Sequence, residues 1–322
     1  MDKEQNLNNY NEIVGKYNFK DEQKKEILLG LMNGLDVEIY VKPEYSSSQM
    51  KEIRLGSEKG LDVSWFAKPE FYSRKMQEIR LGLEQGLDVS WYAKPEFIEE
   101  EMEEIRLGLE QGLDVSIYAD SKYNRLEMRQ IRLCLINGLD TSWLNNGEFN
   151  WFQMNIIKEG LIAGLNVSVY AKPEFSWQQM FQIGRGLKNK LDVSIYANYK
   201  FNDNQMYEIR QGLEKGLDVS WYAKPEFNEG QMEVIRLSLE DKLDVSIYAN
   251  SEFNTPQMIQ IKRGLEEGLN VSIYAKPEFN WLQMQEIRLG LDNKIEVETY
   301  LNPGITWEQM QKIRENLEFK NS

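Results

Sequence analysis

The sequence predicts an all-α solenoid of about twelve 26-residue units, each an α-helix followed by a short one-turn or 3-10 helix. Three observations support this. Methionine recurs every 26 residues from Met50 to Met310, with no insertion or deletion. The dodecapeptide GLDVSWYAKPEF occurs at 86–97 and again at 216–227, and near-copies fill the intervening units. Most units also open with a polar residue typical of a helix start.

The first half of each unit is predicted to be the α-helix. In the copy that begins at Asn202, this residue is a good N-cap and Gln205 completes a capping box. Met206 and Ile209 then start an apolar helical stripe, and Gly216 supplies a left-handed C-terminal stop. The same pair of capping residues recurs in other units: Ser46/Gln49, Asn124/Glu127, Asn150/Gln153, Ser176/Gln179, Asn228/Gln231, Asn254/Gln257 and Asn280/Gln283.

The second half of each unit is predicted to be one tight helical turn. Asp218 acts as a second N-cap, and the turn VSWYA ends before Pro225, because the residue before proline disfavours helix. An α/β horseshoe is the alternative, since VSIYA alternates at period two and is rich in strand formers. A leucine-rich repeat would, however, need an asparagine at its ladder position, and none follows here.

In element order and unit length, this array resembles the leucine-rich repeat variant proteins, in which α-helices alternate with short 3-10 helices in a superhelix. The pattern Q-M-x-x-I-R-x-G-L-x-x-G-L-D-V-S-x-Y-A-x-P-E-F also resembles bacterial 26-residue-repeat α-solenoids. The resemblance implies the fold and no particular activity. Within it, 1–18 is predicted to be a polar N-terminal cap or tail, 19–305 the tandem repeats and 306–322 a C-terminal capping helix.

Composition limits the function classes. The chain has 52 acidic and 38 basic residues, a net charge of -14, which disfavours a phosphate-tracking surface. It has no histidine, and its single cysteine, Cys134, occupies a repeat position, so we expect no enzyme activity, no cofactor and no metal site. The polar N-terminus and the absence of a long apolar run predict a cytoplasmic protein that does not enter a membrane.

Two recurring columns are interpreted as structural. The mid-helix glycine, as in Gly82 and Gly212, suggests that adjacent helices approach too closely for a side chain, with Cys134 marking a looser contact. The arginine two residues earlier, as in Arg80 and Arg210, suggests a ladder. We expect its partners to be the aspartate at the short-helix cap and the glutamate before the last aromatic residue.

The column two residues after the isoleucine should face outward, because it lies opposite the apolar stripe. Leu81, Leu107 and Leu133 there predict an apolar ridge for partner binding, and Arg263 stands in the same column. Burial of these leucines between neighbouring helices is the alternative. A second always-apolar column lies in the short turn, as in Trp65 and Trp221.

The repeat departs from its own pattern in consecutive units over 124–201. There WLNNGEF replaces WYAKPEF, and the arginine moves one place outward to Arg185. Clustered aromatic residues and an arginine are typical of interface hot spots, so we predict a partner-binding site here. Its members are Trp151, Phe152, Trp177, Phe181, Arg185 and Tyr207.

These features predict a non-enzymatic repeat scaffold that binds another protein through an extended solenoid face. The net charge supports an alternative, an acidic decoy that occupies the nucleic-acid-binding site of a basic protein such as a defence nuclease. A third hypothesis is direct nucleic-acid binding through stacked aromatic residues, which the net charge disfavours.

Overall fold

A computed structural model describes residues 3–145 and 147–321 of the chain. Residues 1 and 2 of the predicted N-terminal segment and the last residue of the predicted C-terminal helix lie outside this range. The described residues form thirteen α-helices and no strand, which confirms the all-α prediction and gives the α/β horseshoe no support. The helices are α1 Lys3–Lys16, α2 Asp21–Met32, α3 Ser47–Glu58, α4 Ser73–Glu84, α5 Glu99–Glu110, α6 Arg125–Ile136, α7 Trp151–Ile162, α8 Trp177–Lys188, α9 Asp203–Glu214, α10 Glu229–Glu240, α11 Thr255–Glu266, α12 Trp281–Asp292 and α13 Trp307–Asn321.

Nine 3-10 turns alternate with these helices in the described residues. They are Val63–Trp65, Val89–Trp91, Val115–Ile117, Val167–Val169, Val193–Ile195, Val219–Trp221, Val245–Ile247, Val271–Ile273 and Val297–Thr299. In most of them the preceding Asp or Asn caps the turn, as where the Asp218 carboxylate accepts a hydrogen bond from the Ser220 amide. The valine of each turn is buried, and so is the aromatic residue three positions later, Phe66 in the first turn and tyrosine in the others.

The chain divides into two compact units, Met1–Ile162 with α1–α7 and Ala163–Ser322 with α8–α13. Within each unit, every helix packs on the next helix in the chain. A core of Met, Ile, Val, Tyr and Phe side chains lies between the α-helices and the short turns. No helix of the described residues combines the length and apolar character needed to cross a membrane.

A glutamine in the first turn of most α-helices ties the helix to the end of its own repeat. The Gln205 side-chain oxygen accepts from the Asn202 amide at 2.7 Å, which completes the predicted capping box. Its side-chain nitrogen donates at 2.5 Å to the carbonyl of Phe227, the last residue of the same repeat, which directly precedes the N-cap of α10. Gln49, Gln179 and Gln257 make the same pair of contacts in their own repeats. One side chain therefore caps its own helix and fixes the next turn against it.

The arginine ladder exists, but its predicted partners are wrong. Arg236 donates through Nε to Glu208 of the preceding repeat at 2.6 Å and through Nη1 to Glu240, one turn further along its own helix. Arg80 and Arg106 repeat this geometry with Glu52 and Glu78. The partners are helical glutamates, because the helices of neighbouring repeats lie side by side. The aspartates instead cap the short turns.

The interpretation of the mid-helix glycine also needs correction. A Cβ atom at Gly82 would lie 1.9 Å from Tyr92 Oη, so the tyrosine of the same repeat, not a neighbouring helix, restricts the side chain here. That hydroxyl donates to the Glu78 carbonyl at 3.2 Å.

Where serine takes the position of this glycine, Ser238 accepts a hydrogen bond from Tyr248. Where the glycine becomes Cys134, the tyrosine becomes Leu144, and both are fully buried. The larger residue on the helix is matched by a smaller one on the turn.

Candidate protein-binding surface

Each α-helix from α2 to α13 presents an outward face, which we define as its first residue and the residues four, eight and eleven further on. These positions share one side of the helix because successive residues turn by about 100°. They are exposed or half-buried, whereas the Met, Ile, Arg and Gly columns are buried. The outward face is therefore where a partner can make contact.

The leucines of the predicted ridge are half-buried, between the two alternatives of full exposure and full burial. Leu81, Leu107 and Leu133 stand third in the outward faces of α4, α5 and α6, and each is of intermediate exposure. The outermost position of α4 and α5, one turn beyond the leucine, carries Glu84 and Glu110, and the latter is exposed. The leucines of α4 and α5 thus share their faces with carboxylates and form no continuous apolar surface.

The last position of the outward face, which we call the outward glutamate column, is not acidic in three consecutive helices. Ile136 ends the face of α6, Ile162 that of α7 and Lys188 that of α8, where most other repeats carry a carboxylate. The sequence analysis missed these three residues, although the column itself contained the signal. The acidic members of the column are Glu58, Glu84, Glu110, Glu214, Glu240, Glu266, Asp292 and Glu318.

In the first unit, α6 and α7 carry an exposed apolar group that we call the first patch. Ile162 is 52% exposed, Ile136 45% and Phe152 43%. The half-buried Trp151 ring stacks on Phe152 with 3.7 Å between ring centroids, so this pair forms one continuous aromatic surface. Because α6 and α7 pack side by side, about 10 Å apart, the two isoleucines lie close together.

In the second unit, α8 and α9 carry the second patch. Trp177, Phe181, Arg185 and Lys188 make up the outward face of α8, and all four are exposed. The Arg185 guanidinium lies 5.7 Å from the Phe181 ring centroid, a cation–π contact. The exposed Tyr207 of α9 occupies the column of Phe181 on the next packed helix.

The remaining predicted site residue stands apart. Arg263 is exposed on α11, two helices beyond Tyr207 in the stack, and has no aromatic contact. The structure therefore groups Trp151 with Phe152 in the first unit, and Trp177, Phe181, Arg185 and Tyr207 in the second.

Other parts of the structure offer fewer groups suited to binding or catalysis. A groove of about 740 Å³ lies between α1 and the first repeat, with Ile13, Tyr17 and Val41 among its lining residues. Its walls mix apolar, acidic and basic side chains. Within the described residues, no three His, Cys, Asp or Glu side chains are placed to hold a metal ion.

The one cysteine is buried. Burial raises the pKa of the Cys134 thiol to about 11, so it stays protonated at neutral pH. A protonated, buried thiol is a packing group and a poor nucleophile. Comparison of the chain with protein-family models, curated proteins and solved structures found no match.

Proposed function

We propose that the protein is a non-enzymatic scaffold that binds another protein through the first and second patches. The observation that carries this proposal is the change of the outward glutamate column to Ile136, Ile162 and Lys188 in consecutive helices. The same helices gain the exposed aromatic residues Phe152 and Phe181.

Stability gives no reason for these changes. The capping contacts of α8 and the packing of its turn match those of its neighbours: Gln179 caps the helix and bonds to the Phe201 carbonyl, and Gly186 lies under Tyr196. Exposed isoleucine and phenylalanine add little to folding, yet they favour association once a partner covers them. Aromatic residues beside an arginine are also the residue types enriched in interface hot spots.

Affinity capture tests the proposal. Tagged full-length protein is incubated with lysate of the source cells, and bound proteins are quantified by mass spectrometry. We expect Phe152→Ser/Ile162→Ser and Phe181→Ala/Arg185→Ala each to reduce partner recovery by about tenfold or more, because hot-spot residues each contribute at least ~1–2 kcal/mol.

The matched control is Ile247→Ala/Trp281→Ala, which removes equally exposed apolar residues elsewhere in the second unit. It should capture the partner as well as the unaltered chain does. Equal recovery by all variants, or no specifically enriched protein, would reject the scaffold function.

A second candidate function is the acidic decoy, and the short-turn caps favour it. Asp62, Asp88, Asp114 and Asp140 are exposed and recur once per repeat. The hydrogen bond from the Ser142 amide holds the pKa of the Asp140 carboxyl below its usual range, so this carboxylate stays ionised. A decoy should bind a basic nuclease with an affinity that falls steeply between about 50 mM and 500 mM salt. Binding that is insensitive to salt would exclude it.

The cellular context belongs to the same proposal. We place the protein in the cytoplasm, since its one cysteine is a free thiol. We assign it to the bacterial 26-residue-repeat α-solenoids of the leucine-rich repeat variant type, on the pattern of its helices and turns. Direct nucleic-acid binding is the third candidate, and the absence of a gel shift at low salt would dismiss it.

A further inference from the structure

We propose that the outward face of α8 binds an acidic segment of the partner protein. This inference rests on the proposed scaffold function and specifies the chemistry of one of its two patches. The supporting observation is that the repeat at 176–201 carries its arginine on the surface instead of in the interior, with a lysine on the same face.

The arginine column shows this relocation directly. In α9 and α10 the buried Arg210 and Arg236 each pair with a glutamate one turn further along the same helix. In α8 this column holds Gly184, and the cation stands one residue later as the exposed Arg185. The position of the paired glutamate is occupied by Lys188. A structural ion pair has been replaced by two outward positive charges.

These charges have no carboxylate partner in the described part of the chain. Among the described residues, the Arg185 guanidinium lies over the Phe181 ring, and neither Arg185 nor Lys188 forms an ion pair. The repeat at 176–201 contains four basic residues and a single acidic one, whereas the next repeat, 202–227, contains three basic and five acidic residues. Arg185 and Lys188 can therefore take up carboxylates from a second molecule.

The geometry of the face fits a short peptide. Trp177, Phe181, Arg185 and Lys188 span about 16 Å along the helix, the length of about five residues of extended chain. The two rings at the N-terminal end offer apolar contact and the two cations at the other end offer charge. We therefore expect an acidic segment with one or two apolar residues beside its carboxylates.

A nucleic acid fits this face less well. Binding a phosphate backbone requires several cations along its track, and the helices that follow present carboxylates on their outward faces. These are Asp203 and Glu214 on α9, and Glu229, Glu233 and Glu240 on α10. A polyanion longer than the α8 face would meet repulsion there.

Selection from a phage-displayed random dodecapeptide library on the immobilised full-length chain tests the inference. We expect selected peptides to be enriched in Asp and Glu, and their affinity to fall about tenfold or more in Arg185→Glu/Lys188→Glu. The control Lys276→Glu/Lys312→Glu makes the same change in net charge at exposed residues of the second unit. It should bind the selected peptides within about twofold of the original chain, because screening weakens distant charges.

Peptides without acidic enrichment, or equal binding by the α8 variant, would overturn the inference. So would tighter binding of a twelve-nucleotide oligo-dT, measured by fluorescence anisotropy, which would assign the face to single-stranded nucleic acid. These outcomes differ from failure of the scaffold proposal. If lysate capture succeeds but is unaffected by Arg185→Glu/Lys188→Glu, the scaffold stands and the role of α8 fails.

Discussion

The repeats at 176–201 and 202–227 lie side by side in the same unit and share their capping and turn-packing contacts. Both helices are capped through a glutamine, Gln179 and Gln205, that also bonds to the last residue of its own repeat. Both have a tyrosine over a mid-helix glycine. Their outward faces nevertheless differ at every position: α8 shows Trp, Phe, Arg and Lys, and α9 shows Asp, Tyr, Gln and Glu.

This comparison separates two kinds of constraint. A residue that contacts the neighbouring repeat is constrained by stacking, because each repeat must fit the next. A residue on the outward face has no such requirement and can differ between repeats. The arginine column marks the boundary between these two kinds of position. In α9 it holds the buried Arg210, whereas in α8 the arginine stands one position later, as the exposed Arg185. Mutations on the two sides of this boundary should have different consequences.

The largest expected difference is between Arg236→Ala and Arg185→Ala. Arg236 and its partner Glu208 are each only 10% exposed in their side chains. Removing the arginine leaves a buried carboxylate without its cation, and we expect a loss of roughly 3 kcal/mol in the free energy of unfolding. Arg185 is exposed and has no ion pair, so Arg185→Ala should change this free energy by less than about 0.5 kcal/mol. Urea denaturation of the full chain measures both.

Two further measurements identify the cause of the loss in Arg236→Ala. The double variant Arg236→Ala/Glu208→Gln should recover most of the lost free energy of unfolding. Glutamine already stands at the equivalent position one repeat earlier, where Gln182 accepts a hydrogen bond from Arg210. Burial raises the pKa of Glu208, although Arg236 lowers it, so removing the arginine should raise this pKa further. A carboxyl group whose pKa is raised in the folded state destabilises the fold most when it is ionised and least when it is protonated. The deficit should therefore be larger at pH 7 than at pH 5; a constant deficit would contradict a buried charge as the cause.

The second prediction concerns the shared interior. A Cβ atom would lie 1.9 Å from Tyr196 Oη at Gly186 and 1.9 Å from Tyr222 Oη at Gly212. We expect Gly186→Ala and Gly212→Ala each to lose about 2 kcal/mol in the free energy of unfolding, because overpacking outweighs the better helix propensity of alanine. The two losses should agree within about 0.5 kcal/mol, although the repeats differ outside.

The natural pair Cys134 and Leu144 suggests the control for this prediction. Gly212→Ala/Tyr222→Leu should lose at least about 1 kcal/mol less than the sum of the two single variants, since the leucine makes room for the added methyl group. Additive losses would show that the tyrosine is not what excludes a side chain.

The sequence predicted the repeated elements well, because each depends on local chemistry that recurs many times. The Asn202 cap, the Asp218 cap and the helix stop at Gly216 follow from backbone hydrogen bonding and φ angles. The partners of Arg236 could not be predicted in this way, since they depend on how neighbouring helices are aligned. Recognising Tyr92 over Gly82 needed the position of the turn on its own helix. In the candidate surface, Phe181 and Arg185 could be recognised from their residue types alone. Ile136 and Ile162 could be recognised only once the structure showed that their column is exposed.

The smallest expected effect lies at the end of the two helices. Lys190 adopts φ 59° and Gly216 adopts φ 70° at the equivalent position, a left-handed conformation that costs a residue with a Cβ about 1–2 kcal/mol. Lys190→Gly should therefore raise the free energy of unfolding by about 0.5–1 kcal/mol, since glycine loses part of this gain through its greater freedom in the unfolded chain. Gly216→Lys should lower it by a similar amount, and urea denaturation of the two variants measures both.

Peptide binding by the same Lys190→Gly variant sharpens the comparison further. Lys190 lies beyond the end of α8 and outside its outward face, so removing its charge should leave the affinity for selected acidic peptides within about twofold. Affinity that falls as far as in Arg185→Glu/Lys188→Glu would show that the cationic surface continues past the helix. In that case Lys190 would serve binding as well, unlike Lys242 and Lys294, which adopt the same left-handed conformation outside the second patch.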